Sequence, residues 1–166
     1  MILKPHIKRE RITDITLDDV KKLGVNALLL DVDNTMSTHH GQTLTDGLLE
    51  WLSMMRENGI KLIVLSNSKR RRVEPFAEKI GLPFISTAAK PLPFGYFRAA
   101  KAVGEKRKNV AIVGDQMFKD MLGGWGAGVK KILLTPILLE DKWSFKVRRS
   151  LERKILKRYK FQDGEK

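Results

Sequence analysis

Five apolar runs alternate with segments of helical periodicity along most of the chain. Each run is four to eight residues long, the pattern of a parallel strand buried on both faces. The runs are NALLLDV (26–32), IKLIVLS (60–66), LPFIST (82–87), NVAIVGD (109–115) and VKKILLT (129–135). This alternation predicts a doubly wound α/β fold of three layers, in which a central parallel sheet of about five strands carries helices on both faces.

The intervening segments carry helix start and stop signals. Thr16 is a predicted N-cap and Gly24 a predicted stop for the first helix. Residues 44–58 show apolar positions at helical spacing, and Ser68 is the predicted N-cap of a helix over 69–80. The connections are too short for a second domain, so we expect residues 1–166 to form one domain.

Polar side chains stand where the predicted strands end. They are Asp31, Asp33, Ser66, Asn67 and Asp115, with Lys90 just past the third strand. In open parallel sheets, ligands bind beyond the carboxyl ends of the strands. The pattern therefore predicts a binding site at this edge of the sheet.

Two close carboxylates at the end of a buried strand favour a cation. Mg²⁺ prefers oxygen ligands and uses one or two carboxylates together with water and substrate phosphate. We expect Asp31 and Asp115 to supply carboxylates, and the Asp33 main-chain carbonyl to supply a third ligand. Asp120 is expected to hold a metal-bound water from outside the ligand set.

If a phosphate monoester binds at this edge, each remaining polar side chain has a chemical role. Asp31 is the predicted nucleophile and Asp33 the predicted general acid and base. Ser66 and the backbone near Asn67 are expected to hydrogen-bond the phosphate oxygens, and Lys90 to offset the charge of the transferring group. The sequence thus predicts an enzyme that hydrolyses phosphoric monoesters through an aspartyl-phosphate.

Four short motifs occur in the order and spacing of the haloacid dehalogenase-like (HAD) phosphatases, and the chain resembles them over about residues 25–135. They are DVDNT (31–35), SN (66–67), KP (90–91) and GDQMFKD (114–120). The resemblance implies a Rossmann-like HAD fold and a substrate contact for Thr35. The short spacing between motifs leaves no room for a cap domain, so the chain resembles the capless subgroup, which acts on large or surface-bound substrates.

The whole chain is also similar to small bacterial phosphatases related to phosphatidylglycerophosphate phosphatase. This narrower resemblance implies a phospholipid headgroup monoester as the substrate, at the inner membrane face. Two alternatives remain open at the level of the sequence. One is a phosphatase of nucleotides or nucleic-acid ends, and the other is a non-catalytic RNA- or ribosome-binding protein on an inherited HAD fold.

Charge and composition limit the kinds of partner and of chemistry that the sequence allows. The 166 residues carry a formal net charge of +13, and the absence of cysteine excludes disulfides and thiolate chemistry. Residues 142–160 hold nine Lys or Arg and one Glu. The start of the chain has no apolar signal-peptide core, so we expect a cytoplasmic protein, with peripheral attachment to the membrane as one option.

Residues 142–160 read as a basic amphipathic helix with two interpretations. Trp143, Val147, Leu151, Ile155 and Tyr159 recur at steps of four. Either this stripe packs on the sheet, or it lies on an anionic lipid surface, where each Lys or Arg contributes on the order of 1 kcal/mol.

Two further segments near the predicted site carry charged or titratable side chains. Residues 69–72 (KRRR) place four cations at a helix N-terminus, where the macrodipole disfavours them, which suggests an anionic partner. His39 and His40 follow the nucleophile strand and are expected to be solvated loop residues without a catalytic role.

Overall fold

The computed structural model describes residues 2–38, 43–137 and 143–158, without the side chains of 143–145. Among these residues, six strands form one sheet in which every neighbouring pair is parallel. The strands are β1 (Ile7–Arg9), β2 (Ala27–Leu30), β3 (Lys61–Leu65), β4 (Phe84–Ile85), β5 (Val110–Gly114) and β6 (Lys130–Leu134). Their order across the sheet is β1-β6-β5-β2-β3-β4.

The sheet has one strand more than the five predicted apolar runs. Strand β1 is three residues long and lies at the edge, paired only with β6 through Ile7 and Ile132. Its single apolar residue, Ile7, is followed by two basic residues and gives no apolar run, which is why the sequence did not predict it. The predicted α/β fold with a parallel central sheet is confirmed.

Helices cover both faces of the sheet, as predicted. They are α1 (Leu17–Leu23), α2 (Leu48–Glu57), α3 (Arg70–Ile80), α4 (Phe94–Ala102), α5 (Leu122–Ala127) and α6 (Trp143–Arg158). Strand residues alternate between two apolar cores. Leu28 and Leu30 face the core that contains residues of α1, α2 and α3. Leu29 faces the core that contains residues of α4 and α5 and against which α6 packs.

The predicted helix boundaries are confirmed at α1 and wrong at the start of α3. Thr16 accepts the backbone N–H of Asp19, and Gly24 ends α1 in the left-handed conformation. Helix α3 begins after Lys69, which makes no side-chain capping bond. Ser68 lies one position too early, and its hydroxyl oxygen instead accepts a bond from the Arg72 guanidinium.

Strand β2 lies where the chain reverses its direction of travel across the sheet. From β2 the chain moves to β3 and β4 on one side and then returns to β5 on the other side. The crevice beyond the carboxyl ends of β2 and β5 is therefore the topological switch point, where ligands bind in sheets of this kind. Asp31 and Asp115 directly follow these two strands.

No helix in the described ranges is long and apolar enough to cross a membrane. The assignment of residues 1–166 to a single domain, with a core over 25–135, stays a prediction.

Candidate active site

Three carboxylates meet at the switch point. Asp31 follows β2, Asp115 follows β5, and Asp120 lies on a π-helical turn, Met117–Met121, that leads into α5. All three are buried, and each offers an oxygen within 4.8 Å of the other two. The sequence placed Asp120 outside the ligand set, whereas the structure puts it in the same cluster as the two predicted ligands.

Burial makes this cluster electrostatically unfavourable on its own. Removal from water, followed by the charges of Asp31 and Asp120, raises the pKa of Asp115. Removal from water also raises the pKa of Asp120, although Lys90 opposes the shift. A group of buried acids whose charges repel one another is a place where a cation lowers the free energy.

The arrangement fits a divalent cation that prefers oxygen ligands. Asp115 uses Oδ2 in an ion pair, but its buried Oδ1 has no hydrogen-bond partner among the described residues. A buried acceptor without a partner costs free energy that a metal ion would recover. Asp31, Asp115 and Asp120 are the side chains that would hold such an ion.

Lys90 is the cation that the protein itself supplies. Its Nζ donates to Asp31 Oδ1 and Asp120 Oδ1, both at 2.8 Å. Burial disfavours the charged amine, but the charges of Asp120 and Asp31 outweigh it and raise the pKa of Lys90. Lys90 therefore stays protonated and links the predicted nucleophile to the π-helical turn.

Asn67 fixes the position of Lys90. The Asn67 side-chain oxygen accepts the backbone N–H of Lys90 at 2.7 Å, and its amide nitrogen donates to the Lys90 carbonyl at 3.0 Å. The Asn67 side chain is thus occupied with the neighbouring loop. The predicted contact between phosphate and the backbone near Asn67 stays a prediction.

A small cleft opens beside Asp31. Its volume is about 190 Å³. The described residues that line it are Asp31, Asp33, Ser66, Asn67, Ser68, Arg72, Lys90, Gln116 and Lys119. Pockets for drug-sized ligands are typically about 300–1,000 Å³, so this cleft has room for a phosphate group but not for a whole drug-sized ligand.

Arg72 and Lys119 add cations that were not predicted as site residues. Arg72 Nη2 donates to Asp33 Oδ1 at 2.6 Å, which fixes the predicted general acid at the cleft wall. Arg72 belongs to the basic run 69–72, for which the sequence suggested an anionic partner. One such partner is a carboxylate of the protein itself.

Thr35, a predicted substrate contact, lies away from the cleft. Thr35 is buried, its hydroxyl oxygen has no partner among the described residues, and it is not part of the described cleft wall. Its contact with substrate stays a prediction. His39 and His40 lie outside the described residues.

Helix α6 reaches the site through side chains that sequence reasoning missed. Arg149 donates through Nη2 to Asp115 Oδ2 at 2.6 Å and through Nη1 to the Asp115 carbonyl at 2.9 Å. Glu152 is buried and accepts the backbone N–H of Met117 at 3.2 Å. Nothing in the local sequence distinguishes Arg149 from the other basic residues of this helix.

The same helix turns part of its predicted apolar stripe outward. Val147 and Leu151 are 41% and 49% exposed, whereas Ile155 is half-buried against the sheet. The side chains of Trp143 and Tyr159 are outside the part of the chain that the structure describes. Packing on the sheet therefore does not account for the whole stripe.

A buried acidic cluster at the switch point, with a lysine between two of its members, is the arrangement that the resemblance to HAD phosphatases implies. Comparison with known proteins agrees. The profile described as "Hydrolase: haloacid dehalogenase-like hydrolase" matches residues 5–128. The chain is 35% identical over 147 residues to "Probable phosphatase YqeG" of Bacillus subtilis (strain 168), an alignment that covers 89% of this chain and 86% of that protein.

Solved structures share the fold. A 4-nitrophenylphosphatase from Thermotoga maritima matches with a TM-score of 0.61 and 12% identity, over 79% of this chain and 91% of that one. The cobalt-bound form of a deoxy-D-mannose-octulosonate 8-phosphate phosphatase from Haemophilus influenzae matches with a TM-score of 0.53 and 17% identity, over 82% and 90% of the two chains.

The chain belongs to the haloacid dehalogenase-like hydrolase family. The predicted enzyme class, an HAD-type phosphatase, is thereby confirmed.

Proposed function

We propose that this protein is a Mg²⁺-dependent phosphomonoester hydrolase that acts through an aspartyl-phosphate on Asp31, with phosphatidylglycerophosphate at a membrane surface as its favoured substrate. The observation that carries the chemistry is the cluster of Asp31, Asp115 and Asp120, whose oxygens lie within 4.8 Å of one another beside a cleft of about 190 Å³.

The first step is attack by the Asp31 carboxylate on phosphorus. The bond between phosphorus and the ester oxygen breaks, and Asp33 donates a proton to that oxygen as it leaves. Lys90, whose Nζ lies 2.8 Å from Asp31, offsets the charge on the phosphoryl group. Mg²⁺, when bound by the acidic cluster, supplies charge neutralisation and orientation.

The second step releases phosphate. Asp33 takes a proton from a water molecule, and the oxygen of that water attacks the phosphorus of the aspartyl-phosphate. The acyl phosphate bond breaks, inorganic phosphate leaves, and the Asp31 carboxylate is restored. The Ser66 hydroxyl and the backbone at Asn67 both lie in the cleft wall, and they are the proposed hydrogen-bond donors to the phosphate oxygens.

The nucleophile assignment is tested with Asp31→Asn. An amide is too poor a nucleophile to form the acyl phosphate, so we expect turnover of 4-nitrophenyl phosphate to be lost. Asp18→Asn is the matched control, because Asp18 is an exposed residue of α1 that pairs with Lys22. Retained turnover in Asp31→Asn would show that another group accepts the phosphate.

The size of the cleft and the surface of α6 support a lipid substrate. A cleft of about 190 Å³ is too small for a whole phospholipid and leaves its acyl chains outside, which suits a headgroup presented by a bilayer. Val147 and Leu151 project outward from a helix with five exposed cations, Lys146, Arg153, Lys154, Lys157 and Arg158. Apolar and basic groups together on an exposed helix are typical of attachment to anionic lipid.

Vesicle flotation tests the membrane surface. We expect the protein to float with vesicles that contain phosphatidylglycerol and not with phosphatidylcholine alone, less firmly at high salt. The double variant Val147→Glu/Leu151→Glu should lose flotation. Leu49→Glu is the matched control, since Leu49 is equally exposed but lies on α2, across the sheet from α6. Failure of the wild type to float with either vesicle rejects this part of the proposal.

A substrate panel decides between the lipid and the nucleic-acid alternatives. It compares phosphatidylglycerophosphate in mixed micelles with nucleoside monophosphates and with 3′-phosphorylated oligonucleotides. We expect the highest kcat/KM for the lipid. Preference for an oligonucleotide would instead assign the basic surface to nucleic acid.

A further inference from the structure

Helix α6 contacts the acidic cluster through one guanidinium. Arg149 binds the carboxylate of Asp115 at 2.6 Å and the carbonyl of the same residue at 2.9 Å. Two bonds from one planar group to one residue fix both the backbone and the side-chain torsion of Asp115. This forked geometry belongs to Arg and not to Lys.

The pairing leaves Asp115 with one committed oxygen and one available oxygen. Oδ2 accepts from Arg149, whereas Oδ1 is buried and has no partner among the described residues. A side chain that only neutralised the Asp115 carboxylate would not need a second bond to the Asp115 carbonyl. The contact instead presents Oδ1 in a fixed orientation.

Glu152 extends the same brace to the third carboxylate. One Glu152 oxygen accepts from Arg149 at 3.4 Å, and the other accepts the backbone N–H of Met117 at 3.2 Å. Met117 begins the π-helical turn that carries Asp120, and Asp120 in turn accepts the backbone N–H of Gln116 at 3.1 Å. Helix α6 thereby touches the segments of two of the three acids.

We propose that Arg149 is a positioning residue for the metal site, supported by Glu152, so that α6 forms part of the active site. The inference rests on the proposed metal-dependent function. Groups that orient a metal ligand from behind typically change metal affinity by about 10- to 100-fold when they are removed. Arg149 also offsets one of three crowded negative charges while Oδ1 remains available to the cation.

The test measures metal binding directly, without turnover. Mg²⁺ alone is titrated into the folded protein by calorimetry, and Mn²⁺ binding is followed by electron paramagnetic resonance. We expect Arg149→Gln to weaken binding of both ions by about 10- to 100-fold. Arg153→Gln is the matched control, because it removes the same charge from an exposed position of the same helix and should leave the affinity unchanged.

Arg149→Lys separates charge from geometry. It keeps the cation but cannot hold the carboxylate and the carbonyl together, so we expect it to bind Mg²⁺ more weakly than the wild type. If Arg149→Gln does not fold, as judged by circular dichroism, this variant decides the question. Wild-type affinity in both folded variants would overturn the proposal, and tighter binding in Arg149→Gln would show that Arg149 competes with the metal instead.

The outcomes for the two proposals are distinguishable. Weaker metal binding in Arg149→Gln together with retained turnover in Asp31→Asn would support the role of Arg149 and reject the proposed chemistry. Unchanged metal binding in Arg149→Gln together with loss of turnover in Asp31→Asn would reject the role of Arg149 and support the proposed chemistry. A wild-type protein that binds neither Mg²⁺ nor Mn²⁺ would overturn both.

Discussion

At the amino ends of the strands, here called the amino edge, Lys61 pairs with Glu105 at 3.0 Å at the protein surface. At the opposite ends, the carboxyl edge, Lys90 pairs with Asp31 and Asp120 at 2.8 Å inside the protein. The lysine side chains are 49% and 2% exposed. The two edges use the same chemistry at nearly the same distance. The two pairings differ in burial, which sets how much solvation the charges lose and how much free energy each ion pair contributes to folding.

Water decides how much each pair matters. An exposed pair gains little, because water solvates both partners before and after they meet. A buried pair must first lose that solvation, so replacing it with apolar residues of similar size is often neutral or stabilising. Stability therefore does not explain the charges at the carboxyl edge, whereas the proposed metal binding and catalysis do.

The largest expected effect comes from Lys90→Met. It leaves Asp31 and Asp120 buried without their cation, and breaking a buried pair in this way costs about 3–5 kcal/mol. Urea denaturation measures the loss, and excess Mg²⁺ should recover part of it because a cation again enters the cluster. Unchanged stability would contradict the electrostatic cost assigned to this buried cluster.

A smaller effect is expected from Gly114→Ala at the end of β5. A methyl group there would overlap the Asp120 carboxylate, so the acid must move away from the cluster. Overpacking typically costs about 1–3 kcal/mol, and the metal affinity should fall with it.

Gly126→Ala is the control for Gly114→Ala. No atom lies within 4 Å of the added methyl at Gly126, in helix α5. There the gain in helix propensity should stabilise the protein by up to about 1 kcal/mol. Equal effects of the two substitutions on thermal unfolding and on Mg²⁺ titration would contradict a tightly packed carboxyl edge.

The smallest expected effect is that of Lys61→Met at the amino edge. Lys61 is half exposed, and Glu105 keeps its bond from the Asn26 side chain after the change, so the midpoint of urea denaturation should stay within experimental error of the wild type. A loss comparable to that of Lys90→Met would show that exposure does not separate the two edges.

The sequence predicted the parts of the fold and site that depend on apolar runs and strand ends. Buried parallel strands such as β2 and β5 leave continuous apolar runs, and their last residues then identify the edge where ligands bind. Asp31, Asp115 and Lys90 were found by this logic. Strand β1 was not, because one isoleucine followed by two basic residues at a sheet edge is too short to show any periodicity.

The role of α6 could not be predicted for a different reason. Spacing at steps of four identifies an apolar stripe but does not say which side of a helix faces the protein. Arg149 and Glu152 find buried partners at the cluster, and this holds Val147 and Leu151 on the outside. Those partners lie more than thirty positions earlier in the chain, beyond the reach of any local pattern.

Neighbouring strands β2 and β5 bring Asp31 and Asp115 together, although Leu28 pairs with Ala111 across a long stretch of sequence. Contacts between distant segments form late in folding, because the entropy of closing the loop is lost before the contact gains anything. Uptake of a metal ion during refolding would therefore report when these two strands have joined. A chain that has formed only β2, β3 and β4 would contain the proposed nucleophile, Asp31, without the Asp115 carboxylate beside it.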